Sequence, residues 1–173
     1  KRNVPMQDGK LIAELEQLRQ IANDLTNEVR RLSHQLHPAV LEHLGLVTAL
    51  ESYIAGFTDE ERIDVQMTAE IGDERIPFQT SICLYRVAVE ALRNVARHSG
   101  AESAAVSLTR SSGNWELRVS DSGKGFDVET FAQAGGLGLI SVEERLRLLQ
   151  GSCEIRSTPE HGTTLVARVP LAA

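Results

Sequence analysis

Hydrophobic residues recur at spacings of four and three along the first part of the chain. The stripe comprises Leu11, Leu15, Leu18, Ala22, Leu25, Val29, Leu32 and Leu36. A narrow a/d stripe of this kind, with charged and amide residues between its members, is typical of a coiled coil or four-helix bundle. It predicts a long helix that Pro38 ends and whose bundle partner is partly outside this chain. The alternative is a helix packed back on its own domain.

Beyond residue 62 the period changes to strict alternation, which predicts β-strands. The five alternating segments are residues 63–69, 104–108, 115–119, 153–157 and 163–169. Because they alternate rather than run apolar throughout, we expect a mixed, mostly antiparallel sheet with helices on one face, an α+β fold. Between the second and third segments, Ser111-Ser-Gly-Asn114 predicts a hairpin turn.

The remaining segments predict helices and connections. Residues 39–57 read as a connector of short helical turns with breaks at Gly45 and Gly56. Pro77 opens a helix whose core stripe consists of Phe78, Ile82, Tyr85, Val89, Leu92 and Ala96. Residues 126–134 show no core periodicity and predict a loop or lid. Ser141 is a candidate capping residue for a later helix that ends at Gly151.

One polar face of the helix after Pro77 carries candidate chemistry. At 3.6 residues per turn, Glu90, Asn94, Arg97 and His98 align on a face separate from the core stripe. A solvated surface would also explain such a face, but Asn94 is mildly unfavourable within a helix. Its amide oxygen suits magnesium, and Arg97 and His98 would add positive charge near phosphates. Glu90 is placed to orient or deprotonate a nucleophile.

Two glycine-rich turns follow in the sequence. Asp121 ends an alternating segment and precedes Gly123 and Gly125. A carboxylate there can accept a hydrogen bond from an exocyclic amine such as that of adenine, and the alternative is an ordinary turn. Gly136 and Gly138 precede a helix and form a candidate phosphate cradle, with a flexible loop as the alternative. Neither turn is a Walker A loop or a dinucleotide fingerprint.

Composition narrows the class of protein. The 173 residues are 42% hydrophobic and 24% charged, as in a soluble globular protein, and the net charge of −6 argues against nucleic-acid binding. No apolar run approaches the roughly 20 residues of a membrane span, so we expect a cytoplasmic region. The start at Lys1 suggests a piece of a longer parent, whose other segments would decide membrane anchoring. Cys83 and Cys153 are expected to be reduced core residues.

Several motifs together resemble those of sensor histidine kinases. Glu90-Ala-Leu-Arg-Asn94-Val-Ala-Arg-His98 resembles the N box, Asp121-Ser-Gly-Lys-Gly-Phe126 the G1 box, and Gly136-Leu-Gly-Leu139 the G2 box. Gly162-Thr-Thr-Leu165 is similar to the terminal strand signature. Residues 32–41, followed by Leu44-Gly-Leu46, resemble the end of the dimerisation domain in the nitrate-sensor, DesK-like class. The order of these motifs is more specific than any one of them.

This resemblance implies a Bergerat α/β sandwich of the GHKL superfamily in residues 45–173, after the second helix and end of a dimerisation domain in residues 1–44. It implies ATP and Mg²⁺ as cofactors. Asn94 would ligate Mg²⁺, and Asp121 would recognise the adenine amine. Glu90 and Asn94 would be catalytic, with Glu90 contributing only indirectly to the metal. The residues assigned to ATP are Asn94, Arg97, His98, Asp121, Gly123, Gly125, Gly136, Gly138 and Thr163.

The family passes a phosphoryl group from ATP to a histidine and then to a response regulator, and it works as a homodimer, here through the heptad helix. Its acceptor histidine is followed by an acidic residue. None of the five histidines of this chain is: His34, His37, His43, His98 and His161. We therefore expect a chain that binds Mg-ATP without phosphorylating itself. The alternatives are another GHKL serine kinase or ATPase, and a dimerising signalling module that binds no nucleotide.

Overall fold

The structure, a computed structural model, describes residues 39–128 and 137–171. Several predictions fall outside these ranges: the heptad helix, the roles of His34, His37 and Gly136, and most of the lid. The domain boundary after residue 44 stays a prediction. In chain order the elements are α1 (Ala39–Glu61), β1 (Asp64–Glu70), α2 (Phe78–Asn94), a π-helical turn (Val95–Ser99), β2 (Ser103–Ser111), β3 (Asn114–Asp121), α3 (Leu137–Arg147), β4 (Ser152–Ser157) and β5 (Thr163–Pro170).

Helix α1 replaces the predicted connector of short turns. Gly45 does interrupt it, with a non-helical backbone at φ 85° and ψ 178°. Gly56 does not, so that part of the prediction is wrong. The physical reason is a buried stripe at helical spacing, which is formed by Leu46, Leu50, Ile54 and Phe57. Packing of this stripe outweighs the cost of about 1 kcal/mol for a glycine inside a helix.

Helix α2 begins directly after Pro77, as predicted. Of the six positions of its predicted apolar stripe, Tyr85, Val89 and Leu92 are buried. Ile82 and Ala96 are partly buried, and Phe78 at the first position of the helix is 44% exposed. The core stripe therefore begins one turn later than the sequence suggested. The π-helical turn then continues the chain to Gly100, whose positive φ of 67° ends the helix.

The five strands form one mixed sheet in the order β1-β2-β3-β5-β4. Only β1 and β2 pair in parallel; the other neighbours are antiparallel, so the predicted sheet type is confirmed. The turn between β2 and β3 has positive φ at both Ser112 and Gly113, the conformation of a two-residue hairpin.

The helices cover one face of this sheet. Trp115, Leu117 and Val119 of β3 point into the core and are almost fully buried. The intervening positions face outward, where Arg168 forms ion pairs with Glu116 at 2.8 Å and Glu154 at 3.0 Å. In β3 this one-sided burial explains the alternation in the sequence.

Helix α3 starts at Leu137, so the predicted capping box at Ser141 is wrong. Ser141 lies within the helix, and its Oγ accepts a hydrogen bond from Arg145 Nε at 3.2 Å. The helix packs against α2, β4 and β5. Cys83 and Cys153 are free thiols, as expected. No helix in the described part of the chain is long and apolar enough to cross a membrane.

Candidate functional site

The end of the polar helix and the Asp121 loop meet at Ser99. The main-chain N–H of Lys124 donates to Ser99 O at 2.9 Å. Ser99 is itself buried; its Oγ donates to Val95 O at 2.8 Å and accepts from the N–H of Ala101 at 2.9 Å. These bonds fix the loop against the helix end, which brings the two predicted motifs into one region of the molecule.

The π-helical turn changes the predicted polar face. Glu90 and Asn94 lie one turn apart on α2 and are half-buried, as the spacing indicated. Arg97 and His98 lie in the π turn and are exposed. A π turn bonds residue i to i+5 and is wider than an α turn, so α-helical spacing does not apply beyond Asn94. The α-helical spacing that placed Arg97 and His98 on this face therefore does not hold for them, and their place beside Glu90 and Asn94 stays a prediction. Single π turns are frequent at functional sites.

The glycines of the Asp121 loop allow other segments of the protein's own backbone to pack closely against the loop. A Cβ on Gly123 would lie 2.4 Å from Ser99 O, and a Cβ on Gly125 would lie 2.1 Å from Thr158 O. Across the sheet, a Cβ on Gly162 would lie 2.0 Å from Asp121 O. Glycine is required at these positions because the loop, the helix end and the β4–β5 connection are in direct contact. Through these backbone contacts the three glycines fix the position of the Asp121 loop.

Asp121 is the half-buried acid of this region. Its Oδ1 accepts the N–H of Gly123 at 2.9 Å, and the main chain of Thr163 also bonds to the carboxylate. Burial raises the pKa of Asp121 above its usual value, although both main-chain bonds act in the opposite direction. In the sheet ladder Asp121 lies between Ala104 and Thr163. The acid therefore has fixed neighbours and keeps acceptor capacity for a ligand that donates hydrogen bonds.

Ser157 holds this end of the sheet together and was missed by the sequence analysis. Its Oγ contacts Phe126 N at 2.9 Å, Gly162 O at 2.9 Å and Thr163 Oγ1 at 3.0 Å. Ser157 pairs with Thr163, which pairs with Asp121. Alternation marks Ser157 only as a strand position. Ser99 was missed as well, although the Ser99-Gly100 step is a signal for the end of a helix.

The structure thus brings Asp121, Gly123, Gly125 and Thr163 together. Gly138 lies in the first turn of α3. Within the described ranges, no three His, Cys, Asp or Glu side chains form a cluster that could hold a metal.

Residues 79–173 match the family model of histidine kinase-, DNA gyrase B- and HSP90-like ATPases. The match covers more than half of the chain, and the chain therefore belongs to this family. It is similar to the sensor histidine kinase MctS of Rhizobium johnstonii, with 40% identity over 153 residues. It is also similar to the signal transduction histidine-protein kinase/phosphatase DegS of Brevibacillus brevis, with 32% identity over 160 residues.

These alignments cover 87% of this chain but 33% of MctS, and 92% of this chain but 41% of DegS. The chain therefore spans well under half the length of these curated relatives. Together with the family match, they confirm that the motifs are those of the GHKL ATP-binding region of histidine kinases. The nitrate-sensor, DesK-like class stays a prediction.

Solved structures support the fold. The histidine kinase domain of the blue-light activated histidine kinase from Erythrobacter litoralis EL346 matches with a TM-score of 0.59 and 19% identity, over 73% of this chain and 65% of that one. The histidine kinase AdeS from Acinetobacter baumannii matches with a TM-score of 0.59 and 16% identity, over 100% of this chain and 88% of that one. The predicted α+β class is confirmed.

Proposed function

We propose that this chain binds Mg-ATP and serves as the catalytic region of a sensor histidine kinase, which transfers the γ-phosphoryl group to a histidine and thence to a response regulator receiver domain. The observation that carries the proposal is the docking of the Asp121 loop on Ser99. This contact joins two parts of the proposed site: the loop with the carboxylate of Asp121, which can accept a hydrogen bond from adenine, and the helix that bears Asn94.

The residues present fit this cofactor. Asp121 is half-buried and oriented by two main-chain bonds, so its carboxylate suits the exocyclic amine of adenine, with Thr163 beside it. Magnesium in nucleotide sites takes most of its ligands from phosphates and water. A single amide oxygen from Asn94 meets that need without a cage of carboxylates.

The remaining predicted residues complete the proposed site. Glu90 lies one turn before Asn94 and would orient the acceptor histidine or accept its proton. Arg97 and His98 are exposed and would neutralise phosphate charge. Gly138, with Gly136 before it, would meet the phosphates. When bound, Mg-ATP supplies the phosphoryl group, and the protein contributes positioning and electrostatic stabilisation.

The parent protein is proposed to be a homodimer of the nitrate-sensor, DesK-like class, dimerised through the heptad stripe, with this region in the cytoplasm and no role in nucleic-acid binding. The phosphoacceptor is proposed to lie outside the chain, because no histidine here precedes an acidic residue. The chain alone is expected to bind Mg-ATP without phosphorylating itself. Acid-labile radiolabel retained on the chain after incubation with labelled ATP would contradict this.

Titration with a fluorescent ATP analogue, with and without Mg²⁺, tests the proposal. We expect saturable binding that Mg²⁺ strengthens and that D121N abolishes. Q66N, on the exposed outer side of β1, is a control that should bind normally. Absence of binding would favour the alternative of a signalling module without nucleotide, and phosphoserine formed on a partner would favour a GHKL serine kinase.

A further inference from the structure

We propose that Ser157 is a specificity-determining positioning residue, which fixes the hydroxyl of Thr163 as a hydrogen-bond acceptor and thereby favours adenine over guanine. This inference rests on the proposed nucleotide site. Ser157 lies on β4, and β5 separates it from Asp121 on β3. Its three contacts come from the Asp121 loop, the end of the β4–β5 connection and the start of β5.

The number of protons available assigns a direction to each hydrogen bond. A serine hydroxyl has one proton to donate and two lone pairs to accept with. Gly162 O can only accept, so the proton of Ser157 goes to it across 2.9 Å. The N–H of Phe126 can only donate, so it occupies one lone pair, also at 2.9 Å. One lone pair of Ser157 Oγ remains.

Thr163 Oγ1 lies 3.0 Å from Ser157 Oγ, a distance at which one of the two hydroxyls must donate. Since the proton of Ser157 is already used, Thr163 is the donor. If Ser157 donated to Thr163 instead, two acceptor oxygens would face each other at the Gly162 contact with no proton between them. The hydroxyl of Thr163 therefore has only acceptor capacity left for any other group.

The result is a pair of acceptors at one end of the sheet. Asp121 and Thr163 are ladder partners, and both side chains lie on the helix-covered face, since Val119 and Leu165, two residues along each strand, are buried there. A carboxylate and an acceptor-only hydroxyl suit a ligand edge that donates. Guanine also carries donors, at N1 and at its 2-amino group, so the discrimination lies at position 6 of the base. The amino group of adenine donates there, directly or through a water, whereas O6 of guanine accepts.

Replacement of Ser157 by alanine would release the proton of Thr163. The freed hydroxyl could rotate and donate to O6 of guanine, so discrimination should weaken as well as affinity. S157T keeps a hydroxyl in the same place and should restore the native pattern. S152A is the matched control, because Ser152 is exposed at the opposite end of the same strand.

The test measures displacement of a fluorescent ATP analogue by ATP and by GTP on the full 173-residue chain. We expect the ratio of the GTP to the ATP dissociation constant to fall at least about fivefold in S157A, and to stay within about twofold of wild type in S157T and S152A. A lower melting temperature with an unchanged ratio in S157A would indicate a merely structural role and overturn the inference.

If S157A does not fold, T163V replaces it in the test. This variant removes the Thr163 hydroxyl that Ser157 is proposed to hold as an acceptor, and it is expected to lower the same ratio. An unchanged ratio in T163V would also overturn the inference. Wild-type chain that binds ATP and GTP equally would refute the role of Ser157 and leave the proposed ATP site standing. Wild-type chain that binds neither nucleotide would refute both.

Discussion

Replacement of Gly123 by alanine tests whether close contact between the Asp121 loop and the helix end builds the site. The added Cβ would lie 2.4 Å from Ser99 O and 2.6 Å from Ser99 Cβ. A Cβ atom essentially never lies closer than 3.0 Å to such a neighbour, so the loop must retreat by at least about 0.6 Å from backbone that cannot rotate away. Gly123 does not have a positive φ, and the effect is therefore steric rather than conformational.

The retreat would weaken two hydrogen bonds. Loss of the bond from Lys124 N to Ser99 O costs about 1 kcal/mol, and overpacking adds about 1–3 kcal/mol. We therefore expect the free energy of unfolding to fall by about 2–4 kcal/mol. The N–H of Gly123 would also move away from Asp121. Loss of a bond to a charged group, about 1.5–3 kcal/mol, predicts a roughly 10- to 100-fold weaker affinity for ATP.

Urea unfolding followed by Trp115 fluorescence measures the first effect, because this buried tryptophan is the only one in the chain. With a slope near 2 kcal/mol/M, the midpoint should fall by about 1–2 M urea. G56A is the control: a Cβ at Gly56 meets nothing within 4 Å, so helix stability should rise by up to about 1 kcal/mol with ATP affinity unchanged. Wild-type stability and ATP affinity in G123A would refute the reasoning.

Two further predictions concern charged groups. Because burial raises the pKa of Asp121 above 3.8, the stability that this group contributes is full below that pH and is lost as pH rises through the raised value. D121N should therefore leave the ligand-free chain at least as stable as wild type at pH 7 while ATP binding is lost; a lower urea midpoint would contradict this. Burial acts on Glu116 in the same direction, but hydrogen bonds from Arg118 and Arg168 hold its pKa below 4.5. R168Q should lower the free energy of unfolding only slightly, because both ion pairs are partly exposed to solvent. It should also flatten the loss of stability as pH falls below 4.5 and lose its effect in 1 M NaCl; a cost that persists in high salt would count against the ion-pair explanation.

The alternation of apolar residues was enough to predict the five strands, the mixed sheet and the β2–β3 hairpin. These features follow from local periodicity and turn chemistry, which a single sequence carries. The start of α2 after Pro77 was also predictable, because it follows from the local chemistry of one residue. Phe78 and Gly56 show the limit of this reasoning. Whether Phe78 is buried, and whether the helix continues through Gly56, depends on the residues that pack against them.

The site was predictable only in part. The motif residues Asp121 and Thr163 are ladder partners, a relation that depends on strand register. At the end of the π turn Val95–Ser99, Ser99 bonds both to its own helix and to the Asp121 loop, and the period of apolar residues predicts neither the turn nor these bonds. Ser157 is one serine among many until the fold places Phe126, Gly162 and Thr163 around it.

The most direct test of the account is a crystal structure of the chain with a non-hydrolysable ATP analogue and Mg²⁺. We predict the adenine amine on the carboxylate of Asp121, with Thr163 on the same edge of the base, and the metal on the amide oxygen of Asn94. Nucleotide bound elsewhere, or a site filled by apolar side chains with Asp121 turned to bulk water, would contradict the account.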